Sequence, residues 1–578
     1  AAERAEVWEQ VRPGLRRVEG PSAGFPAAEH LALNVGVVLR AGHGLVELPA
    51  GMPRFVGTGT KLVPVEEVVA EHLGELFPGH EVVSHYVYRV TSNRDMRVDE
   101  SPVSDLLSAM RDALEEFPRT AGPVRLEIGE EAPAAVRDEL AGSLGLTPRE
   151  VTVSRGRVNL GDVGAIAGLE RPELKSAPVR GVTPGALREA GSVMEAMSNG
   201  DILLQHPYES FAESVVRFLQ EASADPDVTE IRMTVYRTSS ESPIMRALID
   251  AAKAGKQVDV LVELRARGDN AANVRWIGEL ERAGARVTQG VMGLKTHAKV
   301  LQVARRAGDE LRTFTHLGTG NYNPSTARFY EDLGLLTANP EIGADVSELF
   351  GMLTGRGEGG GFRKLLVAPE TIRTGLIEQI RQEASAGTAG RIVVKVNNLL
   401  VPRVIDALYD ASRAGAQVDV IVRGMTALAP GVPDQSENVR VRSVIGGVLE
   451  HSRVFLFGTP ERGRRAWIGS ADMMNRNLSG RVEVLTPVED PVLKGRLEKI
   501  VELALADDVQ AWSLGPDGVW QRVPTVVGFD AQRELQRLAA LPFTDGEIEQ
   551  ARGAVRRDLR DAKKTLSALP PLPLLPGG

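Results

Sequence analysis

Two segments of the chain repeat each other 160 residues apart: ALIDAAKAGKQVDVLVELRA at residues 247–266 and ALYDASRAGAQVDVIVRGMT at residues 407–426. Each reads as a helix that ends at a glycine, Gly255 or Gly415, and leads into a short apolar run. Such a run after a helix is typical of a buried strand in a parallel sheet. The pair therefore predicts half of a βαβ unit, present twice.

Two further blocks follow the same repeat. HAKV at His297 is matched by HSRV at His451, and HLGTGNYNPSTARFYEDLGLLT from His316 is matched by WIGSADMMNRNLSGRVEVLTPV from Trp467. Three blocks in the same order, with slowly shrinking offsets, are not expected by chance. We therefore interpret the two regions as duplicated α/β domains.

Glycine and proline mark the borders of these regions. Residues 169–185 are rich in both, and GRGEGGG at 355–361 contains five glycines. Residues 25–170 alternate strand-like and helical patterns, which indicates a mixed α+β unit. The predicted segments are a remnant of a helical region at 1–24, an α+β head at 25–180, the two repeats at 181–365 and 366–525, and a helical tail at 526–578.

Composition excludes several classes of protein. Apolar residues make up 43% and charged residues 25% of the 578 residues, as in globular proteins. There is no cysteine, so disulfide scaffolds and Cys-ligated zinc are excluded. The net charge of −9 argues against a nucleic-acid partner. No apolar run is long enough to predict a transmembrane segment, and a cytoplasmic location is the default expectation.

Each repeat places a histidine two residues before a cation. In a strand of period two, His297 lies on the same side as Lys299, and His451 on the same side as Arg453. A neutral imidazole beside a fixed cation suits phosphoryl chemistry, since the ring attacks phosphorus or protonates a leaving oxygen while the cation stabilises the phosphoryl oxygens. A single strand histidine is usually structural, but the recurrence of the pair favours a functional role.

Basic residues in apolar or glycine-containing segments are candidate anion contacts. Arg237 and Arg423 are the better candidates because they end strand-like runs, where ligand sites of α/β proteins commonly lie. GTGN at 318–321 is a weak candidate for a phosphate cradle. The other candidates are Arg267, Lys295, Arg328, Arg440, Arg442 and Arg476.

These motifs together resemble those of bacterial polyphosphate kinase, the long-chain, ATP-dependent type. The matching segments are HPYESF at 206–211, TVYRTSSESPI at 234–244, GLKTHAK at 293–299, HLGTGNYNPSTARFYEDLGLLTA at 316–338, LEHSRVF at 449–455 and IGSADMMNRNL at 468–478. The duplicated His-x-Lys pattern also resembles the phospholipase D superfamily, although neither copy has the Asp that this superfamily carries after the lysine. The resemblance to the kinase is the fuller one and implies an α+β head followed by two phospholipase D-like α/β domains.

The resemblance implies reversible transfer of the terminal phosphate of ATP to inorganic polyphosphate through a phosphohistidine, with Mg²⁺. His297 matches the phosphorylated histidine, and His451 a second histidine that acts as acid or base near the nucleotide. Tyr330 and Arg423 match nucleotide-binding positions. The expected substrate-binding set also contains Lys299, Arg453 and Arg328, and the expected partners are ATP or ADP, polyphosphate and a second copy of the chain.

Arg237 and Arg267 match positions that the family assigns to the magnesium site. A guanidinium has no lone pair to offer a cation, so we interpret both as phosphate clamps beside the metal. Two other functions stay open: a phospholipase D-like phosphodiesterase and a polyphosphate-binding protein with weakened catalysis. Peripheral association with a membrane is also compatible with the resemblance.

Overall fold

The computed structural model describes residues 2–15, 17–22, 25, 30–49, 52–57, 61–92, 122–175, 178–236, 241–263, 270–290, 293–357 and 360–541. The chain divides into two compact units, Ala1–Lys175 and Ser176–Gly578, and each is described by itself. None of the helices in the described ranges combines the length and apolar character needed to cross a membrane.

The first unit is a mixed sheet with helices. Its strands are β1 (Arg17–Ser22), β2 (Leu33–Leu39), β3 (Gly42–Leu48), β4 (Phe55–Val56), β5 (Val63–Pro64), β6 (Val82–Ser92), β7 (Pro123–Gly129) and β8 (Val151–Ser154); its helices are α1 (Ala2–Val11), α2 (Val65–Glu71), α3 (Leu73–Leu76), α4 (Ala134–Ser143) and α5 (Gly164–Ala167). The main sheet has the order β1-β3-β2-β6-β7-β8, and only β7 and β8 pair in parallel. Val65 and Val69 of α2 pack in one core cluster with Val35 and Val37 of β2.

Within residues 1–24, Ala2–Val11 forms the helix α1, whereas Arg17–Ser22 forms the strand β1 and not a helix. Residues 17–22 pair with β3 in the antiparallel sheet, with Arg17 opposite Glu47. The alternation of polar and apolar residues in RVEGPS is too short to be recognised without the partner strand.

The second unit contains both repeats. Its strands are β9 (Ile202–His206), β10 (Val228–Val235), β11 (Gln257–Val262), β12 (Arg286–Thr288), β13 (Lys295–Thr296), β14 (Lys299–Ala307), β15 (Glu310–Gly318), β16 (Tyr330–Thr337), β17 (Leu366–Ala368), β18 (Arg391–Val396), β19 (Gln417–Val422), β20 (Val439–Val444), β21 (Leu449–Glu450), β22 (Val454–Phe457), β23 (Arg465–Gly469), β24 (Arg481–Pro487), β25 (Ala511–Leu514) and β26 (Trp520–Arg522). Its helices are α6 (Gly185–Arg188), α7 (Val193–Asn199), α8 (Arg217–Ala224), α9 (Pro243–Lys253), α10 (Asn270–Arg282), α11 (Pro340–Leu353), α12 (Ile372–Ser385), α13 (Pro402–Arg413), α14 (Asn475–Gly480), α15 (Pro491–Ala506) and α16 (Ala531–Ala540).

The repeat predicted from the sequence is present in both sheets. Helices α9 and α13 each connect two parallel strands, β10 to β11 and β18 to β19. Both helices are followed by a glycine in the left-handed region, Gly255 at φ +83° and Gly415 at φ +99°. The predicted fold class, an α+β head followed by two duplicated α/β domains, is confirmed, whereas the segment boundaries stay predictions.

The repeated QVDV motif makes the same contact twice. Asp259 and Asp419 are buried on β11 and β19, and each binds the arginine opposite it on the next strand. The distances are 2.7 Å from Arg286 Nε to Asp259 and 2.8 Å from Arg440 Nε to Asp419. Arg440 is therefore part of the frame of the second sheet.

The two sheets exchange short strands. β13 leaves the first repeat and pairs in parallel with β24 of the second, while β21 leaves the second repeat and pairs in parallel with β16 of the first. His297 directly follows β13, and His451 directly follows β21. Both histidines are thereby carried to the boundary between the repeats.

The C-terminal segment is described only in part. Residues 531–540 form α16, which packs in the core cluster that contains Leu497 and Ile500 of α15. The helix predicted for 543–566 lies outside the described residues.

Candidate active site

The backbone of His297 is fixed by the second repeat. The amide groups of His297 and Ala298 both donate to the carbonyl oxygen of Val482 on β24, at 2.9 and 3.0 Å. His297 therefore lies in the gap between β13 and β14, held from the opposite repeat.

The imidazole of His297 contacts a buried carboxylate. Its Nδ1 lies 2.8 Å from Oε2 of Glu483, whose side chain is fully buried. Because an ionised carboxylate only accepts hydrogen bonds, Nδ1 carries the proton and Nε2 keeps its lone pair. Burial lowers the pKa of His297 to about 3 despite the opposing effect of Glu483, so the ring is neutral near pH 7.

Glu483 is itself held in place. Asn477 Nδ2 donates to Oε1 of Glu483 at 2.6 Å, and α14 carries this asparagine. Burial opposes ionisation of Glu483, but its contacts with His297 and Lys299 outweigh burial and lower the pKa of the carboxylate. The carboxylate is therefore available as an anion at the Nδ1 side of His297.

His451 has the mirror arrangement. Its Nδ1 lies 2.8 Å and 3.0 Å from the two carboxylate oxygens of Asp332, a residue of the first repeat. Thr319 Oγ1 donates to Asp332 at 2.6 Å. Burial lowers the pKa of His451, with Asp332 opposing the shift. Each histidine is thus oriented by a carboxylate from the other repeat.

The GTGN segment serves this second carboxylate. A Cβ at Gly320 would lie 2.1 Å from Asp332 Oδ2, so only glycine allows the close approach. Together with the hydrogen bond from Thr319, this close approach fixes the position of the Asp332 carboxylate. The phosphate cradle proposed for 318–321 stays a prediction.

The two histidines differ at Nε2. Arg453 Nη1 lies 3.3 Å from Nε2 of His451, so a cation faces that nitrogen. In contrast, Lys299 Nζ donates to the backbone oxygen of His297. Within the described ranges, no hydrogen bond reaches Nε2 of His297. His297 is therefore the better nucleophile of the two, and His451 is better suited to orient an anion.

Cations surround the pair. Lys299 and Arg453 are both buried, and burial lowers the pKa of Lys299 well below its ordinary value. Arg481, at the start of β24, acts electrostatically on His297 and Lys299, and its Nη1 lies 3.9 Å from Glu483. A negatively charged ligand in this pocket would favour the ammonium form of Lys299.

Tyr330 and Arg423 lie on the His451 side. The Tyr330 and His451 rings have centroids 5.0 Å apart. Burial lowers the pKa of Arg423, Arg453 lowers it further, and Asp472, Tyr330 and Asp332 oppose the shift. Arg423 is half-buried and lies within electrostatic range of Tyr330, Asp332 and Arg453.

Six of the predicted site residues are therefore brought together: His297, Lys299, Tyr330, Arg423, His451 and Arg453. Arg328 is exposed on a short helical turn, and its side chain bonds to none of the described residues. Arg237 and Arg267 lie outside the described residues, so their prediction is untested.

Sequence reasoning missed four residues of the site. Glu483 and Asp332 occupy equivalent positions of the third repeated block, as do Arg481 and Tyr330, and this equivalence is the signal that could have identified them. The rings of Tyr236 and His297 meet edge-on, with centroids 5.0 Å apart. The Nζ atoms of Lys295 and Lys299 lie 5.3 and 5.4 Å from the centroid of the Tyr236 ring. No sequence signal marks Tyr236 beyond its place at the end of a strand.

The acidic and histidine side chains of the site do not form a metal centre by themselves. No group of three or more His, Asp or Glu side chains in the described ranges is arranged to hold a metal ion. Asp332 and Glu483 are engaged with the histidines. Mg²⁺ is usually bound through one or two carboxylates and the substrate phosphates, so this donor set fits a metal that arrives on a nucleotide and does not fit an all-protein site.

Comparison with known proteins gives one consistent family. Residues 8–166 match the polyphosphate kinase middle domain, 192–359 its C-terminal domain 1, and 365–533 its C-terminal domain 2. A polyphosphate kinase of Streptomyces coelicolor is 45% identical over 536 residues, which cover 90% of this chain and 71% of the relative. One of Mycobacterium tuberculosis is 43% identical over 549 residues, covering 89% and 74%.

The fold has a solved counterpart. The crystal structure of polyphosphate kinase from Porphyromonas gingivalis is similar with a TM-score of 0.78 and 31% identity, over 95% of this chain and 84% of that one.

The buried histidines predict acid-sensitive folding. In the unfolded chain a histidine takes up a proton near its ordinary pKa of 6.5, whereas folded His297 and His316 stay neutral because burial lowers both pKa values to about 3. Each therefore contributes stability that is present above pH 6.5 and is lost as the pH falls toward 3, about 2 kcal/mol at pH 5. Urea unfolding of His297→Gln and of His316→Gln should show a loss between pH 7 and pH 5 that is smaller than that of the parent by this amount. An unchanged loss in both variants would contradict the neutral state.

Proposed function

The chain belongs to the polyphosphate kinase family and is a phosphotransferase; we propose that it transfers the terminal phosphate of ATP reversibly to inorganic polyphosphate through a phosphohistidine at His297. The surroundings of His297 support this proposal most directly. Its ring is neutral and buried, Nδ1 is bonded to Glu483, and Nε2 has no partner among the described residues. A nucleophile for phosphorus needs this free lone pair.

In the first step, Nε2 of His297 attacks the γ-phosphorus of ATP. The N–P bond forms as the bond to the bridging oxygen breaks, and ADP leaves with the electron pair. The phosphorylated ring keeps its Nδ1 proton and becomes cationic, and Glu483 stabilises this charge at 2.8 Å. Lys299, Arg453 and Arg481 stabilise the phosphoryl oxygens.

In the second step, a terminal oxygen of polyphosphate attacks the phosphohistidine. The N–P bond breaks, the polymer is one phosphate longer, and His297 returns to its neutral form with Nδ1 still on Glu483. The reverse direction uses the same groups. The attacking oxygen at the polymer end is already an anion, so this step needs no general base. This agrees with the described site, where the basic side chains are cations or histidines bonded to carboxylates.

His451 serves the nucleotide side of the reaction in this proposal. Tyr330 and Arg423 lie near His451, and Arg453 faces Nε2 of the His451 ring. We assign His451 to orienting a phosphate, or to proton transfer at the leaving oxygen, and Arg328 to the outer part of this nucleotide site. Its exposed position suits a contact with the nucleotide away from the chemistry.

Mg²⁺ enters in this proposal as the complex with ATP, where it offsets phosphate charge. Arg237 and Arg267 would clamp phosphates beside it, because a guanidinium binds phosphate oxygens and not a cation.

A labelling experiment tests the proposal. Incubation with γ-labelled ATP and Mg²⁺ should give an acid-labile label on the protein and long-chain polymer, and His297→Ala should abolish both because the imidazole that forms the phosphoramidate is removed. His451→Ala should keep the acid-labile label but lower turnover by about 10² to 10⁴. Absence of label in the parent chain, or its retention in His297→Ala, would contradict the proposal.

The carboxylates of Glu483 and Asp332, each bonded to the histidine of the other repeat, give a second prediction. Glu483→Gln should slow labelling of His297 by about 10² to 10⁴, since an amide no longer enforces the tautomer or stabilises the cationic ring. Asp332→Asn is the matched control, because it makes the same change at His451. It should lower turnover and slow formation of the His297 label much less than Glu483→Gln does, because His451 does not form the bond to phosphorus. Equal effects of both substitutions on labelling would show that the carboxylates do not act separately on the two histidines.

A further inference from the structure

A buried polar cluster lies beneath His451. Lys395 Nζ donates to Glu331 at 2.6 Å and to Ser452 Oγ at 2.6 Å, and it lies 2.8 Å from a carboxylate oxygen of Glu450. Lys395 itself is 2% exposed. Glu450 and Ser452 flank His451 in the sequence, and Glu331 precedes the Asp332 that contacts it. Lys395 therefore ties together both strands that carry the His451 and Asp332 pair.

Gln532 closes this cluster from α16. Its Nε2 donates to the backbone oxygen of Val448 at 2.7 Å and to Glu450 at 2.8 Å, and its Oε1 accepts from the amide of Val448 at 2.9 Å. The side-chain amide thus pairs with Val448 as a neighbouring strand would. A Cβ at Gly446 would lie 2.3 Å from Gln532 Oε1, so glycine leaves room for the amide.

The start of α16 is fixed independently. The amide of Ala531 donates to Asp507 at 2.8 Å, and Asp530 caps the helix by accepting from Arg533 N at 3.1 Å. Gln532 is therefore presented from a rigid helix terminus. The two-residue strand β21, which carries Glu450 and leads into His451, is bonded on one side to β16 and is supported by Gln532 through Glu450 and Val448.

Among the described residues of the first repeat, the corresponding positions form no such cluster. In the strand register, Thr234 lies opposite Leu261 as Lys395 lies opposite Ile421, so Thr234 takes the position of Lys395. By the offsets of the repeated blocks, Thr296, Val482 and Ala298 take the positions of Glu450, Glu331 and Ser452. The duplicated fold is complete without these charges, so their presence beneath His451 alone needs another reason. A buried lysine with two carboxylates is also weak evidence for stability, because desolvation offsets the attraction.

We propose that Gln532 is a positioning residue for His451: through Val448 and Glu450 it holds the strand that sets the imidazole against Asp332. This inference rests on the proposed function, in which His451 orients a phosphate. Orientation of that kind requires the ring to be held within about 0.5 Å, which a two-residue strand does not ensure by itself.

The test uses the full chain and a double-mutant cycle. Gln532→Met keeps the length of the side chain and removes its hydrogen bonds, and Gln536→Met makes the same change one turn further along α16 as the control. We expect Gln532→Met to lower kcat for polymer synthesis about tenfold with KM for ATP within twofold, and Gln536→Met to leave both unchanged. In the His451→Ala background, Gln532→Met should have less than a twofold effect, because its target is gone.

A purely structural role predicts a different result. Then Gln532→Met would lower turnover by the same factor with and without His451, or would leave turnover unchanged, and either outcome overturns the inference. If Gln532→Met fails to fold, Gln532→Glu takes its place in the cycle, since it keeps the acceptor and loses the donors. Failure of the proposed function is distinguishable, because the parent chain would then make no polymer.

Discussion

The hydrogen bond between His297 of the first repeat and Glu483 of the second is the interaction on which the site depends. It exists because β13 leaves its own sheet and pairs with β24, which places the Val482 carbonyl oxygen and the Glu483 carboxylate on either side of the histidine. The same exchange in reverse, β21 onto β16, gives His451 its contact with Asp332. In the described ranges each of these two histidines takes its carboxylate partner from the other repeat, so the proposed chemistry needs both repeats.

Burial sets the charge state of this centre. Taking His297 out of water disfavours its cation more than Glu483 favours it, and the ring stays neutral, with no described residue bonded to Nε2. The same burial lowers the pKa of Lys299, which a bound phosphate would reverse. The chain carries a net charge of −9, so a polyanion is repelled at long range, and in the proposed function this local group of cations holds it. Affinity in such a pocket comes from short charge-assisted contacts.

The sequence predicted the repeat, both histidines and both neighbouring cations, because these features lie within continuous blocks that recur in order. The carboxylates were missed because each acts on a histidine about 120 to 190 residues away, and only the exchanged strands bring them together. Two arginines were selected as anion contacts because they lie in apolar segments, but both have structural partners in the second sheet. Arg440 binds Asp419, and Arg442 donates to the backbone oxygens of Leu505 and Asp507. The proposed contribution of α16 rests on the side-chain amide of Gln532, and hydrophobic periodicity does not identify such a residue.

Glu483 holds His297 as the neutral ring protonated on Nδ1. Nitrogen NMR of the chain labelled at its histidine ring nitrogens reports this state directly, with His297→Gln used to assign the signals. At pH 7 and again at pH 5, we predict a protonated Nδ1 and an unprotonated Nε2 for His297, because its pKa is about 3. A ring protonated on both nitrogens at pH 7, or one protonated on Nε2 alone, would contradict the account.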